Sequence, residues 1–68
     1  MKKAYKKIEV VGISDKSLSK AIDNAIEQAA KSVRKLAWFE VDELRGKIGD
    51  DGKVAEYQAT VSIGFRLE

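Results

Sequence analysis

The chain has 68 residues, 13 of them Lys or Arg and 11 Asp or Glu, with no cysteine and no histidine. One domain of this size buries only about 60% of its unfolded surface; disulfides, thiolate chemistry and ordinary zinc sites are excluded, and oligomerisation remains as the way to reinforce a small core. A net charge of +2 with acids and bases interleaved is a weak nucleic-acid footprint, no apolar run approaches the ~20 residues that cross a bilayer, and the absence of a signal-peptide core makes a cytoplasmic location the default expectation.

The chain opens on four lysines, Lys2, Lys3, Lys6 and Lys7. Tyr5 to Gly12 reads as a strand with Ile8 and Val10 facing inward and Gly12 ending it. Ser14 is the predicted helix N-cap, with Asp15 placing negative charge near the positive end of the dipole. Leu18, Ala21, Ile22, Ala25, Ile26, Ala29, Ala30, Val33 and Leu36 then form the i, i+3, i+4 stripe of an amphipathic helix. The stripe is rich in alanine, so the helix can lie close against a sheet. Trp38 opens a strand running to about Ile48, Gly49-Asp50-Asp51-Gly52 is a turn signal, and from Lys53 onward polar and apolar residues alternate. Ala55, Tyr57, Ala59, Val61, Ile63, Phe65 and Leu67 share one face of this last strand; Gln58, Thr60, Ser62, Gly64 and Arg66 share the other.

The expected fold is α+β: β-α-β-β, a three-stranded antiparallel sheet packed on one face by a single long helix. The helix is the crossover between the first two strands, and the last strand lies between them, antiparallel to both. A three-residue hairpin loop, Asp50-Asp51-Gly52, puts Gly49 opposite Lys53. The same register pairs Phe39 with Ile63 and Val41 with Val61 as core facing the helix. On the outer face it places Trp38 beside Gly64, its ring uncovered by any neighbouring side chain, and Leu44 beside Gln58. Trp38 and Gln58 then lie about 20 Å apart along the ladder, so a small planar ligand touched by both requires a second copy of the chain.

Each of these residues has a plainer reading. A lone tryptophan on the outer face of a sheet is more often interface packing than a ligand platform. Arg45, Arg66 and Gln58 are ordinarily solvated or paired across the ladder. Glu40 and Asp42 are not a catalytic pair without a reason for a shifted pKa, and the glycines fit no phosphate-loop spacing.

The ordered set Tyr5–Ser14, the alanine-rich helix, Trp38-Phe39-Glu40-Val41, Leu44-Arg45-Gly46, Glu56-Tyr57-Gln58 and Gly64-Phe65-Arg66-Leu67 resembles the dodecins, a family of small flavin-binding proteins, over nearly the whole chain. The resemblance implies a hollow homo-dodecamer with paired flavins at a two-fold subunit interface. Trp38 from two copies would sandwich the isoalloxazines, and Gln58 would bond the pyrimidine edge. Arg45 would shape the pocket and favour FMN over riboflavin, and Arg66 would meet the phosphate or ribityl chain. Coenzyme A on the shell, with Lys3 and Lys7 near its phosphates, is a further implication. Ala37 departs from the Asp that often precedes the tryptophan in relatives. The function implied is storage, buffering and photoprotection of flavin, with no enzymatic turnover. The alternative is a purely structural oligomeric module with Trp38 as an interface residue and no ligand.

Overall fold

The computed structural model describes residues 3–67; Met1, Lys2 and Glu68 lie outside the described residues. The elements are β1 (Tyr5–Ser14), α1 (Leu18–Ala30), β2 (Leu36–Ile48) and β3 (Val54–Arg66). The sheet order is β1-β3-β2, with both outer strands antiparallel to β3. The expected β-α-β-β order and central last strand are therefore present, and α1 lies in the connection that runs from one edge strand to the other.

Gly12 does not end β1. The strand continues through Ser14, with Gly12 opposite Ala59. A Cβ on Gly12 would lie 2.0 Å from the Ala21 carbonyl oxygen and 2.7 Å from the Ala25 Cβ. Glycine is needed there because the helix backbone comes down onto the strand.

The helix is shorter than its apolar stripe. Ser17, not Ser14, is the N-cap, and its hydroxyl accepts from the Lys20 N–H at 3.0 Å. The Ser14 hydroxyl instead accepts from the Lys16 N–H at 2.9 Å, closing the turn between β1 and α1. At the other end α1 stops at Ala30, and Lys35 takes a left-handed φ of 62° as the chain swings into β2. Leu36 is apolar because it packs on the core from the sheet, opposite Phe65, and not as a last member of the helix face.

The core is Ala21, Ala25 and Ala29 of α1 against Ala59, Val61 and Ile63 of β3, with Ile8, Val10, Ile22, Ile26 and Leu36 around it. Ile8 and Val10 thus face inward as their alternation predicts. Phe39 and Val41 do pair with Ile63 and Val61, but they are 49% and 41% exposed. The helix lies over β1 and β3 and barely reaches β2, so the expected four-residue core is only half covered.

The hairpin loop is the predicted one. The Gly49 N–H donates to the Lys53 carbonyl at 2.7 Å, the Gly52 N–H donates back to the Gly49 carbonyl at 3.0 Å, and Gly52 holds φ +79°. The ladder above it is not regular. Between Val41 and Glu43 a bulge shifts the register by one, giving Glu43–Thr60, Leu44–Ala59 and Arg45–Gln58; a second irregularity between Lys47 and Ile48 restores it at Ile48–Val54. Leu44 therefore sits beside Ala59 and not beside Gln58. The reason is the pleat: a regular ladder would put Leu44 among polar neighbours, and one extra residue returns it to the apolar face.

Candidate functional site

The outer face of the sheet carries the residues singled out from sequence, divided between its two ends. At one end, Trp38 lies opposite Gly64 as the loop length predicts. A Cβ on Gly64 would fall 2.2 Å from Cε2, 2.3 Å from Cζ2 and 2.7 Å from Cδ2 of the indole. Three ring atoms crowd one point, so glycine meets the face of the ring and not its edge. The ring is not free of side chains, as expected from β2 and β3 alone. Tyr5 of β1 stands against it edge-on, with centroids 5.9 Å apart and planes at 65°, a favoured arrangement of two aromatic quadrupoles. Trp38 remains 37% exposed. Arg66 belongs to this end: it pairs with Tyr5 across β1–β3, and its side chain is exposed.

Between the ends, Lys7 Nζ meets Glu40 Oε1 at 3.1 Å, an exposed ion pair. The buried Ser62 hydroxyl donates to Asp42 Oδ2. Lys3, named with Lys7 for an anionic ligand, is exposed.

At the far end the bulge has a chemical consequence. It turns Arg45 onto the outer face beside Gln58, where Arg45 Nε donates to Gln58 Oε1 at 2.8 Å. Arg45 Nη1 also lies 3.3 Å from Glu43 Oε1, and Gln58 Nε2 donates to Glu56 Oε2 at 2.7 Å. Ile13 of β1 flanks Gln58 on the other side. Arg45 and Gln58 are thus brought together, while Trp38 and Arg66 stand apart from them. Gly64 and Gln58 are six positions apart on β3, roughly 20 Å.

Tyr5, Glu43 and Glu56 were not among the predicted site residues. Tyr5 was legible in principle, because β1 pairs with β3 and Tyr5 falls two positions from the partner of Gly64. Glu43 and the Arg45–Gln58 contact depend on the bulge.

The model of the dodecin family matches residues 4–68. The chain belongs to the dodecin family. A curated dodecin from Thermus thermophilus is 53% identical over 68 residues, covering 100% of this chain and 97% of that protein. The crystal structure of a Thermus thermophilus protein superposes with a TM-score of 0.92 at 52% identity, covering 98% of this chain and 97% of that one. The dodecin from Streptomyces davaonensis gives 0.93 at 38% identity, covering 100% and 98%. A calcium dodecin from Mycobacterium tuberculosis, described as calcium-chelating with a novel calcium-binding site, gives 0.82 at 26% identity over 96% and 91%. Among the described residues of the present dodecin, no group of three or more Asp or Glu side chains is placed to hold a metal ion. No helix among them is long and apolar enough to cross a membrane.

Proposed function

We propose that this chain sequesters flavin, FMN or riboflavin, between Trp38 side chains contributed by two copies in a dodecamer. The observation that carries the reading is the seating of the indole. One face rests on Gly64, Tyr5 packs against the ring in a T-shaped contact, and the ring stays partly open on the outer surface of the sheet. A flat, electron-poor isoalloxazine stacks well on such a ring. The amide of Gln58 supplies the donor and acceptor that a pyrimidine edge needs. Because Gln58 of β3 lies far along the sheet from Trp38 of β2, the Trp38 of one copy and the Gln58 of another complete the site.

Arg45, beside Gln58, puts positive charge next to the polar edge of the ring and favours the phosphorylated flavin. Arg66, beside Tyr5 and Trp38, serves the ribityl chain or its phosphate. Stacking against tryptophan quenches the flavin excited state by electron transfer, so the bound pigment is stored and shielded from light without being turned over. Coenzyme A is a second ligand of this reading, with Lys3 and Lys7 near its phosphates. Since Lys7 is engaged by Glu40, its binding displaces an exposed ion pair, which costs little.

One observation favours a different reading. Phe39, Val41 and Leu44 expose apolar surface on the helix-side face of β2, so β2 fits a protein interface, with Trp38 a contact residue on its other face and no ligand. FMN titrated with the protein separates the two. Under the flavin reading its emission falls on binding, and Trp38→Ala removes the quenching while the assembly keeps its elution volume. Under the interface reading Trp38→Ala breaks the assembly, and FMN emission is unchanged from the start.

A further inference from the structure

The Gln58 side chain is held from both sides by charged groups of opposite hydrogen-bonding character. Arg45 Nε can only donate, so the amide atom 2.8 Å from it is the oxygen. A carboxylate can only accept, so the atom 2.7 Å from Glu56 Oε2 is the nitrogen. An amide viewed alone can be turned by 180° with no change of shape, exchanging its donor and acceptor. Here each neighbour adds to the cost of the exchange. Arg45 is itself steadied by Glu43 at 3.3 Å, and Glu56 lies two residues from Gln58 on the same face of β3. The contacts still leave Gln58 one oxygen lone pair and one N–H for a ligand.

We propose that Glu56 is a positioning residue for the flavin site, which rests on the flavin reading above. Together with Arg45 it locks the Gln58 amide in one orientation, acceptor toward Arg45 and donor toward Glu56. The ligand edge that fits is an imide: an N–H beside a carbonyl, with the N–H bonding Gln58 Oε1 and the carbonyl accepting from Nε2. A ring with the reverse edge, a bare ring nitrogen beside an amino group, sets acceptor against the locked oxygen and donor against the locked N–H. An amide free to turn would match that edge and lose less.

The test compares FMN with an analogue whose imide edge is replaced by a bare ring nitrogen beside an amino group, using the wild-type chain, Glu56→Ala and Glu56→Gln. The wild type is expected to prefer FMN by at least about tenfold, the equivalent of one hydrogen bond or more. Glu56→Ala reduces the preference to about threefold or less, and so does Glu56→Gln, which keeps the shape of the side chain but carries an amide that can turn together with that of Gln58. A merely structural role for Glu56 would weaken both ligands equally and leave the ratio intact. Should Glu56→Ala alter the elution volume, Glu56→Thr replaces it, since threonine suits a strand and its side chain is too short to reach the amide. An undiminished ratio in the alanine or threonine variant overturns this inference alone. Failure of the wild-type chain to bind FMN overturns the flavin reading and this one with it.

Discussion

What Trp38 can do is decided by the residue across from it. Gly64 is buried beneath the indole, and the methyl group of an alanine there would lie 2.2 Å from Cε2. The two cannot coexist, so Gly64→Ala lifts or turns the ring and breaks its edge contact with Tyr5. Displacing a packed ring of this size costs about 1–3 kcal/mol, equivalent to roughly 5- to 150-fold in affinity for a ligand that needs the seated ring. The expected result is weaker FMN quenching with an unchanged far-ultraviolet dichroism spectrum; undiminished quenching would show that the seat is irrelevant. The Trp38–Gly64 contact follows from the loop length and the parity of two strands. The Tyr5 contact required the third strand, and the Arg45–Gln58 bond required a bulge. For that reason only half of the candidate site could be assembled from the chain itself.

At the level of elements, the bulges explain where the sequence pattern and the structure part. Apolar positions in β2 run 39, 41, 44, two apart and then three. In β3 they run 54, 55, 57, 59 and 61, one apart and then two. Each change of spacing marks a bulge: after Val41 in β2, and between Glu56 and Val54 in β3. Alternation with a fixed period of two reads straight through such steps, so the loop and the Trp38 end of the hairpin were legible and its middle was not. The helix differs for another reason. Its stripe runs on into residues that are apolar because the sheet needs them, and the break at Lys35 is a backbone event that periodicity does not register. Gly12 belongs to this scale as well. It is the point where α1 meets β1, and a Cβ there would collide with the helix backbone at Ala21. Gly12→Ala is expected to lower stability by about 2–3 kcal/mol, at the upper end of overpacking costs, with a lower urea midpoint. A midpoint equal to that of the wild type would mean that the helix can simply ride up.

For the whole molecule, the lengths of the elements matter most. A helix of 13 residues is about 20 Å long, and a strand of 13 residues is about 43 Å. The hairpin must outrun its cover, and the chain measures 56 × 20 × 13 Å. Leu44 at 50% exposure and Ile48 at 77% lie on the part that the helix does not reach. A chain whose core is six small and medium side chains gains most by burying this face against copies of itself. Burying the exposed half of one leucine contributes about 1 kcal/mol, repeated at every copy. Leu44→Glu is therefore expected to convert the assembly to smaller species in sedimentation velocity; an unaltered sedimentation coefficient would place the interface elsewhere. On the proposed reading, the same division of the outer face, with Trp38 at one end and Gln58 at the other, ties flavin binding to assembly. The most direct measurement of the central claim is the emission of FMN as wild-type protein is added at micromolar concentration. The account predicts steep, saturable quenching that is lost in Trp38→Ala. Emission that stays constant up to saturating protein would contradict it.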